Sequence, residues 1–371
     1  MNSNFCSLPW VGLDVSPQGN FKPCCKYKNS ISNNIDDYFN SEELKLVKEQ
    51  FLAGEKPEGC SRCWRDEEAG LPSKRQLDFK YVFEGNNPEL TSLKVISMPF
   101  GNTCNLACRI CSSSASSKWY NEAARLKNDL PDLVIKDHKK FYKDPSFLNG
   151  IISKIHNAVL FEFPGGEPFL TGKKEHLEFL KNLSSTDSSG LKLHYITNTT
   201  IIPDDEFWQV WRSFKNVDIQ LSIDGLGKHF EYNRWPAKWD ESYKNIKHFQ
   251  HKQQEYTNIQ LSISHTVSIF TVYYLPEFLS WCDREGLPIP YLGLLSDPIH
   301  YSIKTLPKNI SNLIAERLSH PLLEGVRKDL SNTTPIEFDN FVKYVTIIDR
   351  DRKQNFEDTF PELYQLLKDY F

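Results

Sequence analysis

Between Leu93 and Leu295 short apolar runs recur at regular intervals, separated by longer amphipathic ones. "SLKVISM", "NAVLFEF", "LKLHYIT", "VDIQLSI", "IQLSISHTVS" and "PYLGLLS" read as strands, rich in β-branched and aromatic residues. "KEHLEFLKNL", "DEFWQVWRSF", "YKNIKHFQHKQ" and "LPEFLSWCDREG" carry apolar residues at helical spacing between them. Strand–helix alternation predicts an α/β fold with a parallel sheet. Six strands fall short of the eight that close the usual (β/α) barrel. The expectation is therefore an open, partial (β/α)6 barrel over residues 90–303, with a doubly wound sheet as the alternative.

The two ends read differently. Residues 1–85 predict a small module. "LDVSPQGNFKPC" is a hairpin about a Ser-Pro-Gln-Gly-Asn turn, "SEELKLVKEQFLAG" an amphipathic helix closed by Gly54, and "CSRCWRDEEAG" a knuckle leading into a polar helix. Residues 304–371 predict a helical C-terminal tail through "ISNLIAERLSH", "IEFDNFVKYVTIIDRDR" and "FPELYQLLKDYF". The polar stretch from Lys127 to Leu148 reads as a surface elaboration beside the barrel mouth, with a lid as the alternative.

Composition narrows the function. In 371 residues a hydrophobic share of 39% and a charged share of 25% are those of an ordinary soluble enzyme. A formal charge of -4 offers no electrostatic case for nucleic acid or an anionic membrane. No apolar run is long enough to span a bilayer, and "MNSNFCSLPW" lacks the apolar core of a signal peptide, so a cytoplasmic protein is expected. Cysteine is unevenly spent. Five of the nine (Cys6, Cys24, Cys25, Cys60 and Cys63) lie in the first 63 residues, three form "CNLACRIC", and Cys282 stands alone. In a reducing compartment such clustering indicates metal or redox chemistry rather than disulfides.

Cys104, Cys108 and Cys111 are spaced C-x3-C-x2-C, directly after the first strand of the alternating region. Three thiolates leave a tetrahedral zinc site one ligand short. On a 4Fe-4S cluster they leave one iron open to a substrate or cofactor. The C-terminal end of a strand is also where barrel enzymes build their sites. With this motif the sequence resembles the radical S-adenosylmethionine enzymes, and further family features follow in order. The resemblance implies that Cys104, Cys108 and Cys111 hold the cluster. It implies that Gly165, Gly166, Glu167 and Pro168 in "FEFPGGEPFL" receive the methionyl amino group, and that Thr197 and Asn198 in "YITNTT" lie near the cofactor. Ser222 and Asp224 in "LSIDG" are implied at the barrel mouth beside the cofactor, with Ser222 and Arg234 of "EYNRWP" at the carboxylate and ribose. Ile110 takes the place of a commonly aromatic residue near the adenine.

The first module contains C-x12-G-x4-C, from Cys6 through Gly19 to Cys24, and then C-x2-C at Cys60 and Cys63. This resembles the twitch and SPASM auxiliary-cluster modules, here placed before the barrel. The resemblance implies one auxiliary 4Fe-4S cluster on Cys6, Cys24, Cys60 and Cys63. Cys25 is left as an alternative ligand, a hydrogen-atom donor or a packed thiol. Four cysteines are equally the ligand set of a structural zinc site. Cys282, on a helix beside Trp281, is a core thiol or a radical-quenching group, and Asp224 and His265 are the other reactive candidates. The implied activity is reductive cleavage of S-adenosylmethionine to a 5'-deoxyadenosyl radical that abstracts hydrogen from a substrate carbon. Reduced flavodoxin or ferredoxin is the expected electron donor. Peptide or protein modification (oxidation, crosslinking or epimerisation) is the leading expectation, and a sugar or other small metabolite the second. A non-enzymatic iron-sulfur carrier or redox sensor is the third reading, but it has no use for the Gly-Gly-Glu-Pro segment or for Arg234.

Overall fold

A computed structural model describes residues 4–82, 92–135, 140–155, 157–170, 172–185 and 190–371. The expected boundary between the first two regions, at 85–90, lies outside them. Each of the six predicted strand stretches forms a strand: β3 (Val95–Ser97), β4 (Leu160–Phe163), β5 (Lys192–Thr197), β6 (Asn216–Ser222), β7 (Ile259–Val267) and β8 (Tyr291–Leu294). All neighbours from β3 to β8 pair in parallel and in chain order. Parallel neighbours need long crossovers. Helices Lys173–Ser184, Asp205–Trp211, Trp239–Glu255 and Leu275–Arg284 supply them from β4 onward.

The sheet has eight strands, not six. The predicted hairpin forms as β1 (Gly12–Val15) and β2 (Phe21–Lys22), antiparallel, with Gly19 at φ +78° in its turn. β1 then pairs in parallel with β3, placing Gly12, Leu13 and Asp14 opposite Val95, Ile96 and Ser97. The hairpin is thus the continuation of the sheet rather than a separate appendage. Left alone, β3 would be an edge with unmade backbone bonds, and β1 makes them. The amphipathic helix forms as Glu42–Leu52, N-capped by Ser41, and buries Leu44, Val47 and Phe51. The knuckle is a short 3-10 turn, Glu58–Cys60, running into helix Ser61–Glu68, which itself carries Cys63.

The C-terminal region is likewise no free tail. Helices Lys308–Arg317, Glu324–Leu330 and Phe338–Arg352 bury Ile314, Val326, Phe341, Val345 and Ile348 in a second apolar cluster shared with Leu292 and Leu294 of β8. Arg65 of the knuckle helix crosses to this region. It donates to the Leu295 carbonyl at 3.0 Å and pairs with the buried Asp329 at 2.9 Å. In the Lys127–Leu148 stretch the described residues include a 3-10 turn, Phe141–Lys143, and the start of helix Pro145–Ile152, with Phe141, Tyr142 and Leu148 buried.

The strands are two-faced. Phe161, Phe163, Leu193, Tyr195, Val217, Ile219, Leu221, Leu261 and Ile263 pack in the main core. The opposite face carries Glu162, His194, Asp218, Gln220, Ser222, Ser262 and Ser264, all part-accessible. A parallel sheet covered by apolar layers on both sides is apolar on both faces. Here the second face lines polar ground. On it Lys74, from helix Lys74–Val82, reaches Glu162 and Asp78 at 2.8 Å each, and His194 meets Asp218 at 2.8 Å. No helix among the described residues is long and apolar enough to cross a membrane.

Candidate functional site

The cysteine loop follows β3 and is closed largely on itself. Asn102 donates to the Ser113 carbonyl at 3.1 Å, Ser116 to the Leu106 carbonyl at 2.6 Å, and the Trp119 indole to the Cys108 carbonyl at 3.1 Å. Two segments from other strand ends then dock on it by main-chain bonds. From the β4 end, the Gly166 amide donates to Ala115 at 3.0 Å and the Glu167 amide to Thr103 at 2.8 Å. From beyond β6, the Asn233 and Trp235 carbonyls accept from the Arg109 and Ala107 amides at 2.9 and 2.8 Å.

The glycines of the β4 end serve this contact. Gly165 and Gly166 have φ of +81° and +55°, where a side chain is strained. A Cβ on Gly166 would stand 2.6 Å from the Thr103 carbonyl, and one on Gly165 would stand 2.9 Å from Pro99. Only bare backbone approaches the cysteine loop this closely. Glu167 is fully buried beneath it. Its carboxyl accepts from Thr197 Oγ1 at 2.9 Å and from the Asn198 amide at 2.8 Å. Burial nevertheless pushes the Glu167 carboxyl up to about 7, against those hydrogen bonds and the more distant Arg234 charge. Thr197 is thus spent on Glu167. Asn198 faces the loop, its Nδ2 lying 2.9 Å from Asn105 Oδ1 and 3.6 Å from Cys104 Sγ. The next residue, Thr199, holds φ +69°, a costly conformation for a β-branched side chain and a mark of a constrained strand end.

Arg234 sits between the two carbonyls that hold the loop, so its buried guanidinium comes near Cys108 and Cys104. It is not free: Nη2 donates to Asp224 Oδ2 at 2.7 Å, and the other Asp224 oxygen accepts from the Thr266 amide at 2.7 Å. Among the described residues, Arg234 Nε is buried without a partner. Ser222 ends β6 on the polar face, and Pro168 is buried behind Glu167. Ile110 stands on the far side of the loop, on the wall of a large cavity. His265 shares its face of β7 with Ile263, packs 4.2 Å from the Phe278 ring and donates from Nδ1 to the Ile223 carbonyl at 2.8 Å. It therefore lies among helix-side residues and away from the polar face. Cys282 is in the main apolar core, where burial pushes its thiol up to about 12. That is the packed-thiol environment.

The three loop thiols lie within electrostatic reach of one another, and burial pushes Cys111 up to about 12 and Cys108 higher still, with Arg234 opposing at both. The N-terminal thiols form a second group. Cys6 feels Cys60 and Cys63, Cys24 feels Cys6 and Cys63, and burial raises all four. Cys25 also raises its neighbour Cys24, and itself feels Lys74, Asp14 and Glu162 on the polar face. Among the described residues no group of three His, Cys, Asp or Glu side chains is set as the ligands of one metal ion. Two sets of desolvated thiols, raised by their own burial, are a donor set that a bound cationic centre would deprotonate.

Sequence reasoning missed the buried arginines behind the loop. Arg352 donates to the Ala107 carbonyl at 2.7 Å and to Glu122 at 2.8 Å, with Trp119 and Trp235 rings 4.8 and 4.9 Å away. Arg109 bonds Asp349 and Gln354, and its guanidinium lies 3.8 Å from the Tyr232 ring. The only sequence signal was "IIDRDR", charges alternating at the end of an otherwise amphipathic helix.

These features define an α/β protein whose strand ends converge on a cysteine loop. No family model matches the chain. Over 216 residues it is 22% identical to a cysteine-type anaerobic sulfatase-maturating enzyme of Clostridium novyi (strain NT), a match covering 56% of this chain and 54% of that protein. The chain thus spans about half the length of the curated relative it matches. Among solved structures it is similar to native anSMEcpe with bound AdoMet, at a TM-score of 0.45 and 16% identity over 69% of this chain and 66% of that one. It is also similar to Streptococcus suis SuiB bound to precursor peptide SuiA, at a TM-score of 0.38 and 14% identity over 90% of this chain and 58% of that one.

Proposed function

We propose that this protein is a radical S-adenosylmethionine enzyme acting on a peptide or protein, with its six parallel strands β3–β8 as a partial barrel. The observation that carries the reading is the docking of the Gly166–Glu167 and Asn233–Trp235 backbones on the Cys104–Cys111 loop. It brings three half-buried thiols, Asn198, Arg234 and Asp224 together at the C-terminal strand ends, where barrel enzymes work. The sequence relative, a sulfatase-maturating enzyme by name, favours a protein substrate over a small metabolite.

On this reading Cys104, Cys108 and Cys111 hold a 4Fe-4S cluster, and Cys6, Cys24, Cys60 and Cys63 hold an auxiliary one. Cluster and S-adenosylmethionine, when bound, supply the electron and the carbon radical that removes a hydrogen atom from the substrate. The residues of the chain orient and shield. The exposed backbone of Gly165 and Gly166 admits the cofactor's amino group. Arg234 Nε, buried and unpartnered, is the donor available to its carboxylate, while Asp224 holds the rest of the fork in place. Asn198 fixes the approach to Cys104. The Arg352 and Arg109 contacts behind the loop keep its backbone from moving.

The test is anaerobic. Reconstituted protein should hold about eight irons in two clusters. With dithionite and S-adenosylmethionine it should release 5'-deoxyadenosine, and a variant with all three loop cysteines replaced by Ala should release none. Equal release by both proteins overturns the reading. Four irons plus bound zinc would restrict it to the loop cluster.

A further inference from the structure

Asn198, just past the end of β5, uses every hydrogen-bonding position of its side chain. Its Oδ1 accepts from the Thr200 amide at 2.9 Å and from the Thr200 hydroxyl at 2.6 Å. Its Nδ2 donates to Asn105 Oδ1 at 2.9 Å and to Cys104 Sγ at 3.6 Å. A side-chain amide has two lone pairs and two N–H groups, so all four are spent. Asn105 Nδ2 donates in turn to Thr200 Oγ1 at 2.8 Å, which closes a ring of three side chains.

The ring fixes which end of the amide meets the thiol. The Thr200 main-chain N–H can only donate, so the Asn198 atom facing it is the oxygen and the N–H end faces Cys104. The turn that brings Thr200 back is itself held, because Thr199 at φ +69° gives its carbonyl to Asn245 of helix Trp239–Glu255 at 3.0 Å. The Asn198 main chain is anchored from the other side, its amide donating to the buried Glu167 at 2.8 Å. Asn198 is itself buried, so bulk water screens its dipole little. Cys104 Sγ also accepts from the Leu106 amide at 3.5 Å, but that donor belongs to the main chain of the loop. Asn198 adds a side-chain donor from a different strand end. An N–H aimed at a cluster sulfur favours the reduced state, because the added electron puts more negative charge on the sulfurs.

We propose that Asn198 is a positioning residue for redox chemistry: locked by Asn105 and Thr200, its amide donates to the Cys104 sulfur and raises the reduction potential of the loop cluster. This rests on the cluster reading above and names a control on that site. A less negative potential makes the electron that starts the reaction easier to deliver. Asn105 neighbours Cys104 in the loop and Thr200 follows the third barrel strand, so the ring ties the potential to the docking of that strand end on the loop.

The test is a redox titration of the reconstituted full chain, followed by EPR without S-adenosylmethionine so that cofactor binding stays out of the readout. The loop signal is the one lost when Cys104, Cys108 and Cys111 are all replaced by Ala. Asn198→Leu, close in size but without a donor, should lower the reduced-to-oxidised ratio at a given solution potential about three- to tenfold, a fall of about 30–60 mV for one electron. Thr200→Val opens the ring yet keeps the Thr200 amide on Asn198 Oδ1, so Nδ2 still faces Cys104 and the potential should stay at the wild-type value. A purely structural role for Asn198 predicts the same shift from both variants. An unchanged potential in Asn198→Leu, or an equal fall in Thr200→Val, overturns the proposal. If Asn198→Leu fails to hold iron, the wild type decides: with 15N at the asparagine side-chain amides, pulsed EPR of the reduced loop signal should show a nitrogen coupling, and its absence overturns the proposal. A wild type with no signal that depends on the three loop cysteines overturns the cluster reading itself. A loop signal that ignores Asn198 overturns the proposal alone.

Discussion

Arg234 and Asp224 show how a residue's task depends on its neighbours. From sequence, Arg234 is an arginine for a cofactor carboxylate. In the fold it is one half of a buried pair, with Asp224 only 1% exposed. Removing one partner strands the other charge, which costs about 3–5 kcal/mol. Arg234→Ala should therefore lower unfolding stability by that amount as well as weaken S-adenosylmethionine binding. Arg234→Ala with Asp224→Asn should recover most of the stability but none of the binding. Urea unfolding and equilibrium dialysis separate the two effects. A single variant within about 1 kcal/mol of wild type would show the pair to be solvated. Gly166 offers a sharper local test. Gly166→Ala adds a strained φ and a clash with Thr103, for a loss of about 1–3 kcal/mol. Gly150→Ala, inside helix Pro145–Ile152 with open space around it, should instead gain about 0.5–1 kcal/mol. Thermal melts of the two should move in opposite directions.

At the scale of elements, helix Phe338–Arg352 matters more than its position near the C-terminus suggests. Its last residue, Arg352, is 7% exposed and clamps both Glu122 and the Ala107 carbonyl within the cysteine loop. Arg352→Ala should cost about 3–5 kcal/mol by stranding Glu122. It should also reduce the iron retained by reconstituted protein, because Ala107 lies between Cys104 and Cys108. The neighbouring pair Arg125–Asp351 is a control on the same two helices. Arg125 is half exposed, so Arg125→Ala should cost at most about 1 kcal/mol and leave iron content unchanged. Equal losses from the two substitutions would mean that the clamp does no more than a surface ion pair.

At the scale of the whole molecule, the buried His176 and His265 and the half-buried His229 and His300 are pushed down by desolvation: His176 to about 3, and His229, His265 and His300 to about 4, from an ordinary value of 6.5. In each case the unfolded chain binds the proton first. The stability they allow is complete above pH 6.5 and is lost as pH falls from there toward 4. His176 is the cleanest probe. It lies 4.3 Å from the Phe100 ring, nearly parallel to it, with Nε2 3.1 Å from the Tyr195 hydroxyl. Relative to wild type, His176→Phe should gain about 2 kcal/mol between pH 7 and 5, since each pH unit below the unfolded pKa is worth about 1.4 kcal/mol. Urea midpoints that shift with pH equally in both proteins would show that His176 is not kept neutral by burial.

Much of this molecule was legible along the chain. All six strands, their helices, the hairpin and the capped helix at Ser41 came from local periodicity and turn chemistry, which depend on residues close in sequence. The three-cysteine motif and the Gly-Gly-Glu-Pro turn were visible for the same reason. The alternation in "LKLHYIT" and "VDIQLSI" also encoded a polar second face, although a parallel sheet is not expected to have one. Tertiary structure decided the rest, because the deciding contacts join residues far apart. Only pairing of β1 with β3 made the hairpin part of the sheet. Only the approach of Asn233 and Trp235 to the loop brought Arg234 to Cys108 and Asp224. The burial of Arg109 and Arg352 follows from the return of the C-terminal helix onto the loop. Sequence determined which groups carry chemistry, since residue type and spacing are local. Folding decided which charges lost water and which partners they found, and those two outcomes set what each group can do.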